Sequence, residues 1–331
     1  MNTKRVLYIG GTGTISAASV RRSLALGHEV TVLNRGSARR PLPEGVRELV
    51  ADVRDAAAVR RAIGDAQFDT VAEFLAFTPE HVQADLDQFG GKCGQYVFIS
   101  SASAYQKPPQ RLPITESTPL RNPFWQYSRD KIACEDLLVA AYRDRGIPIT
   151  IVRPSHTYDE RMIPTMGAWT DVARMRQGKP VVIHGDGTSL WTLTHSDDFA
   201  VAFTGLLGNP AAIGEAFTIT GTHAPSWNQV YGWLADAAGV RDPEFVHVAS
   251  EAIAAFAPDL GPGLLGDKSH STVFDVSRVT ALVPEFRTTI TFDEGARRIL
   301  AHYDAHPGEQ RVDEDRDGLF DRLVAYARSA G

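Results

Sequence analysis

Cysteine is almost missing from this chain of 331 residues: only Cys93 and Cys134 occur, and neither belongs to a Cys-x-x-Cys pair. That scarcity speaks against a disulfide framework and leads us to expect a reduced compartment, the cytoplasm. No apolar run approaches the roughly 18–20 residues needed to span a bilayer, so no membrane segment is expected. Met1-Asn2-Thr3-Lys4-Arg5 leads straight into a short strand, and no targeting leader is expected there. Basic residues are scattered and the net charge is −6, which lacks the footprint of a nucleic-acid binder. No Cys/His/carboxylate spacing suits a metal, and no internal repeat or low-complexity tract is found. The remainder, 43% hydrophobic and 22% charged, is ordinary for a globular enzyme. The length suits one large α/β domain with a smaller lobe, or two domains.

The positive signals begin at the N-terminus. Val6-Leu7-Tyr8-Ile9 stops at Gly10-Gly11-Thr12-Gly13-Thr14-Ile15-Ser16, a helix-compatible run follows to about Leu26, and Glu29 to Leu33 is a second strand. A βαβ unit with glycines at its first strand-to-helix turn is where a dinucleotide pyrophosphate is expected. Gly10 permits the tight turn, Gly13 lets backbone approach phosphate, and Ser16 fills the third glycine position. At the end of the second strand stand Asn34-Arg35 instead of a carboxylate. Arg35 suits a 2′-phosphate and Asn34 suits a plain ribose, so NAD and NADP both stay open. Asp52 is placed to accept from an adenine amino group and Val53 to pack on its ring, while Asp55 reads as a helix N-cap. Leu75, Ala76 and Phe77, at the exit of the fourth strand, are expected to line the cofactor.

The fifth strand, Tyr96-Val97-Phe98-Ile99, is continuously apolar, as buried parallel strands are, and ends in Ser100-Ser101-Ala102-Ser103. Hydroxyls at that end face the ligand crevice of an open α/β sheet. Next comes Tyr127-Ser128-Arg129-Asp130-Lys131, which puts a phenol and an amine on one helix face, a turn apart. Beside a nicotinamide they form an acid/base pair, with the Lys131 ammonium expected to favour the phenolate of Tyr127. Ile149 to Pro154 is a sixth strand, completing a Rossmann-type doubly wound parallel sheet over 1–154, with segments around 181–222 expected to join it. Residues 155–331 are expected to form mainly a smaller α/β substrate lobe and C-terminal helices. There Leu260 to Gly263 reads as a flexible turn, and Leu264 to His270 as the pocket mouth.

Taken together, Gly10-Gly11-Thr12-Gly13, Asp52-Val53, Phe98 to Tyr105, Tyr127 to Lys131, Ile151-Val152-Arg153-Pro154, and Gly185-Asp186-Gly187 with His195 to Ala200 resemble the extended short-chain dehydrogenase/reductases, specifically their NAD-dependent epimerase/dehydratase branch. The resemblance implies a tightly held NAD(P). It also implies Ser101 as the serine that hydrogen-bonds the reacting hydroxyl, Tyr127 as general base, and Lys131 as the residue that holds the nicotinamide ribose. Ser100, Pro154 and His156 join the cofactor set, and Ser103, Thr157, Tyr158, Trp191 and Lys268 are candidates for the substrate. A homodimer through the two helices flanking the sheet, one carrying Tyr127, is expected.

The sequence departs from the family pattern in ways that bear on chemistry. Ala102-Ser103 follow Ser101 where sugar-nucleotide dehydratases carry Asp-Glu, so an elimination must recruit Glu73, Asp159 or Glu160. Trp191 occupies the place of an Arg that clamps a diphosphate, and an indole cannot neutralise phosphate. If Trp191 packs inward, Arg174, Arg176 or Lys268 can take over the clamp. A nucleoside, a free or singly phosphorylated sugar, or another small polyol is therefore favoured as substrate. The expected reaction is transient hydride transfer in an epimerase or dehydratase. Net oxidation or reduction of a small polyol or ketone is the alternative. A non-catalytic RNA-binding or redox-sensing protein on the same fold is the rival of another class.

Overall fold

The computed structural model describes residues 3–37 and 40–330. Its centre is a seven-stranded parallel sheet. Along the chain this layer contains β1 (Arg5–Ile9), α1 (Thr14–Ala25), β2 (Glu29–Asn34), β3 (Arg47–Val50), α2 (Ala56–Ile63), β4 (Thr70–Glu73), α3 (Pro79–Phe89), β5 (Tyr96–Ile99), α4 (Gln126–Arg145) and β6 (Ile149–Pro154). The lobe then supplies β7 (His156–Tyr158), α5 (Trp169–Arg176), β8 (Val181–His184) and β9 (Leu193–His195). The chain returns to the sheet through α6 (Ser196–Leu206) and β10 (Ala216–Ile219), then leaves through α7 (Trp227–Ala237), β11 (Phe245–Val248) and α8 (Ser250–Phe256). Strand order is β10-β6-β5-β4-β1-β2-β3, so the winding reverses between β1 and β4, where ligands of such sheets bind.

Alternation along each strand builds the two sides of the sheet. Leu7 and Ile9 join Val71, Phe98, Val82, Leu86 and Leu138 under α2, α3 and α4. Val6 and Tyr8 point the other way, onto Val20, Phe199 and Phe203 of α1 and α6. The lobe has its own core, with Trp169, Val181, Ile183, Trp191, Trp227 and Tyr231 at its heart. β8 pairs with β11 and β7 with β9, each as a separate two-stranded sheet. Within 181–222, then, Val181–His184 lies outside the main sheet: Val181 and Ile183 are committed to the lobe core, while α6 and β10 carry the sheet layer. Asp55 caps α2 by accepting from the Ala57 and Ala58 amides. The segment read as a flexible turn at Leu260–Gly263 is helical from Gly261 and runs on into a π-turn over Leu264–Lys268. Asn122 fixes that turn, its Nδ2 donating to the Gly266 carbonyl at 2.7 Å and to the Ser103 carbonyl at 2.9 Å.

Two carboxyl groups lie inside the sheet layer. Glu73 ends β4 and Asp85 sits on α3; both are fully buried. Tyr96 donates to Asp85 at 3.0 Å and the Leu75 amide donates to Glu73. Burial pushes Asp85 up to about 7 and holds Glu73 well above the usual carboxylate range, with the neighbouring Asp85 charge adding to the effect. Raised native values mean that the fold favours the protonated forms. The stability they contribute is complete below the unfolded carboxylate range and is lost as pH climbs through the native values. Glu73→Gln is therefore expected to gain stability relative to the natural chain as pH is taken from about 5 to about 8. Denaturant unfolding at the two pH values measures it, and an equal stability difference at both would contradict it.

Candidate active site

A cleft of about 740 Å³ runs from the first β-turn-α unit, over the carboxyl ends of β1, β4 and β5, to the π-turn of the lobe. Gly10, Thr12, Gly13, Ile15, Asn34, Arg35, Leu75 and Phe77 border one half; Ser100, Ser101, Ser103, Tyr127, Lys131, Pro154, His156, Thr157 and Lys268 border the other.

The glycine loop keeps its shape for steric reasons visible in the backbone. Gly10 has φ +85°, and a Cβ there would lie 2.6 Å from the Leu75 side chain. Ser16 closes the loop by accepting from the Gly13 amide at 2.9 Å, so a serine in place of the third glycine caps α1 instead of opening it. Asn34 is buried, and its Nδ2 has no hydrogen-bond partner among the described residues although it borders the cleft. A buried unpaired amide is costly unless something completes it, and a ribose hydroxyl at the end of β2 would do so. The residues present thus fit a dinucleotide. Thr14 lies just off the cleft wall, its hydroxyl against Met162 of the lobe. Asp52 and Val53 do not border the cleft. Asp52 is exposed and turned onto the Arg54 amide at 2.9 Å, and Val53 is packed in the core under β3. Ala76 is buried and presents its carbonyl to Lys131.

At the reacting end the hydroxyls form a chain. Ser128 donates to Ser103 at 2.8 Å, Ser103 and Ser101 share a hydrogen bond of 2.8 Å, and the Ser103 amide donates to Ser101 at 3.1 Å. With Ser103 already accepting from Ser128, its proton is available to Ser101. Ser101 then accepts twice and keeps its own proton for the Tyr127 phenol or a ligand. Tyr127 stands in the first turn of α4, its ring 5.0 Å from that of Trp125 and 6.5 Å from that of Phe77.

The expectation that Lys131 lowers the Tyr127 pKa is not met in this structure. Burial raises the phenol above its ordinary value, the Ser101 hydroxyl pulls it part of the way back, and Asp267 pushes it up further. The Lys131 ammonium lies 5.8 Å from the Tyr127 ring centre and donates to the Ala76 and Ile99 carbonyls, each at 2.7 Å. Burial brings that amine down to about 8. Two of its three donors are used, which leaves one for a ligand. Burial also drives His156 down to about 3, so its imidazole faces the cleft uncharged.

The substrate candidates divide. Ser103, Thr157 and Lys268 border the cleft. Trp191 and Tyr158 do not: both are fully buried in the lobe core, Trp191 against Trp227 with ring centres 5.4 Å apart, Tyr158 against Phe292 at 5.2 Å. Arg174 is bound to Asp317 and Asp321, and Arg176 to Asp304, which leaves Lys268 as the cation on hand among those three. Of the carboxylates weighed for elimination, Glu73 is under the sheet, Asp159 pairs with Arg40, and Glu160 faces His195 at 3.3 Å. None of the three borders the cleft. Asp267 does, within the 264–270 stretch expected at the pocket mouth though not singled out as a carboxylate; Trp125 and Thr272, which also border it, were missed. Trp125 stands at the N-cap of α4, just before Tyr127, whereas Asp267 reaches the site through the π-turn and Thr272 through its isolated bridge to Trp191.

The model of the NAD dependent epimerase/dehydratase family matches residues 6–220. The 2'-dehydrokanamycin reductase of Streptomyces kanamyceticus is 29% identical over 292 residues, covering 86% of this chain and 81% of that one. The chloroplast stem-loop binding protein of 41 kDa b of Arabidopsis thaliana is 28% identical over 257 residues, covering 74% and 66%. In fold, the chain is similar to the UDP-glucose 4-epimerase of Thermus thermophilus in complex with NAD, with a TM-score of 0.73, 24% identity and coverage of 91% and 99%. Among the described residues no helix is long and apolar enough to cross a membrane. The chain belongs to the NAD-dependent epimerase/dehydratase family and is an extended short-chain dehydrogenase/reductase working with a nicotinamide cofactor.

Proposed function

We propose that this chain reduces a ketone, or oxidises the matching alcohol, on a small sugar- or nucleoside-type molecule. The observation that carries the proposal is the make-up of the reacting end. It offers two hydroxyl donors, Ser101 and Tyr127, and its one bordering carboxylate among the described residues, Asp267, lies 3.0 Å from the Lys107 ammonium. Donors suit an oxygen that gains negative charge as a carbonyl is reduced. Elimination of water needs a carboxylate free to move a second proton, and the cleft offers none unpaired. Bound NAD(P) supplies the hydride chemistry.

The chain's own residues handle the proton. Tyr127, kept protonated by burial, gives its proton to the substrate oxygen; Ser101 donates to the same oxygen and then to the phenolate left behind. Lys131 holds the cofactor ribose with its remaining donor, and Asn34 and Arg35 take the adenine-side ribose with or without a 2′-phosphate. The reductase relative acts in the same sense. The stem-loop binding relative suggests RNA as partner, but a net charge of −6 without a basic cluster gives little backbone affinity. We place the protein in the cytoplasm as a homodimer through α3 and α4.

The test is stoichiometry. Purified protein with a panel of keto sugars is expected to consume reduced cofactor mole for mole with alcohol formed. Turnover without net cofactor change would make the chain an internal-redox epimerase and overturn net reduction.

A further inference from the structure

The substrate end of the cleft is walled by a charge cluster that hydride transfer does not use. Lys107 has no exposed surface, and its ammonium lies 3.0 Å from Asp267 Oδ1. That carboxylate balances one cation. Lys268, next in sequence and bordering the cleft, has no carboxylate within ion-pair reach among the described residues. Its amine instead lies 6.0 Å from the Trp125 ring and 5.8 Å from the Trp191 ring, faces that attract a cation without neutralising it. Burial lowers the Lys268 pKa, Asp267 counters this, and Lys107 adds to it, as expected of an ammonium lacking a partner of its own. The neighbouring imidazoles leave the count unchanged, because burial holds His156 at about 3 and His184 at about 4. The cluster is one positive charge in excess, in a place where an unpaired charge is costly.

A second observation points the same way. Thr272, 1% exposed, borders the cleft with a hydroxyl that has no hydrogen-bond partner among the described residues. A buried hydroxyl and an unneutralised ammonium on one wall ask for a ligand oxygen carrying charge. Trp125 sets the distance: its ring is 5.0 Å from that of Tyr127 and 6.0 Å from the Lys268 amine. The anion and the reacting oxygen therefore belong to one small molecule.

We propose that Lys268, backed by the Lys107–Asp267 pair and helped by Thr272, recognises a single anionic group, a carboxylate or monophosphate, on the sugar-type substrate. This rests on the reduction proposed above and narrows its substrate class to acidic sugars. One excess cation matches one anionic group. A diphosphate brings more charge than the cluster can balance, and an amino sugar brings the wrong sign.

Titration of the cofactor-loaded, full-length protein, followed by tryptophan fluorescence, tests it with D-glucuronate, D-glucose phosphate, methyl glucoside and D-glucosamine. At least one acidic sugar is expected to bind about tenfold more tightly than the neutral one, with glucosamine weakest. Whichever acid is preferred tells carboxylate from phosphate. Lys268→Met is expected to abolish the preference and Lys268→Arg to keep it, with cofactor affinity unchanged in both. Equal binding of acidic and neutral sugars, no binding of either, or a preference that survives Lys268→Met overturns the proposal. Reduction of neutral keto sugars at undiminished rate would remove this inference alone, whereas absence of any reduction would remove the function beneath it.

Discussion

Tyr127→Phe is expected to lower kcat by about 10²–10⁴-fold while leaving cofactor affinity and fold intact. The substitution removes one oxygen. Packing of the ring against Trp125 at 5.0 Å and Phe77 at 6.5 Å is kept, so a loss of rate reports the proton and not the helix. Tyr127 is the acid in ketone reduction and its phenolate the base in the reverse reaction, so both directions should slow together. The natural enzyme should also lose activity as pH rises through about 8, the value to which burial brings Lys131. Below it the ammonium is charged and holds its two carbonyls with a donor to spare; above it that charge is gone. Steady-state rates against pH, beside cofactor binding measured separately, check both parts. A phenylalanine variant with natural kcat would show that another group moves the proton.

The second large effect concerns what holds the helix of Tyr127 in place. Glu135 lies one turn beyond Lys131 on α4 and is buried with Arg153 of β6. Arg153 Nε donates to Glu135 Oε1 at 3.0 Å, Nη2 lies 2.5 Å from Oε2, and Nη1 donates to the Tyr105 phenol at 3.0 Å. Ser100, which borders the cleft, donates to the same carboxylate. Arg153→Met would leave a buried carboxylate facing neutral groups, at a cost of about 3–5 kcal/mol in unfolding free energy. Replacing both partners, as in Glu135→Leu with Arg153→Met, should cost less than the single change, because neither charge is then stranded. Denaturant unfolding of the three variants decides it. A double variant as unstable as the sum of the singles would mean that the pair is valued for its packing.

The contrast between these two sites shows what a sequence can disclose. The glycine loop, the serines after β5 and the Tyr-x-x-x-Lys face are local: a few adjacent residues in a strand-turn-helix context fix their geometry. The central sheet was legible for the same reason, as continuous apolar strands alternating with helices. Contributions from far along the chain were legible only in part: Lys268 and the 264–270 stretch were placed at the pocket, their charge pairing was not. Asp267 meets Lys107 across the chain, and Thr272 reaches the cleft because the segment after the π-turn lays it against Trp191 and lays Phe274 against Ile114. Trp191 follows a turn of the expected kind, yet a large indole gains more from Trp227 and the lobe core than from an open cleft. Lys131 sits where expected. What spacing could not show is that two carbonyls hold its amine and that the phenol beside it is buried deeply enough to stay protonated.

The most direct measurement is a crystal structure of the protein soaked with NAD(P). The account predicts density along the cleft, with the pyrophosphate over Gly10 to Gly13, the adenine-side ribose on Asn34 and the nicotinamide beside Ser101, Tyr127 and Lys131. An empty cleft, or a nicotinamide lying away from the Tyr127 phenol, would contradict it.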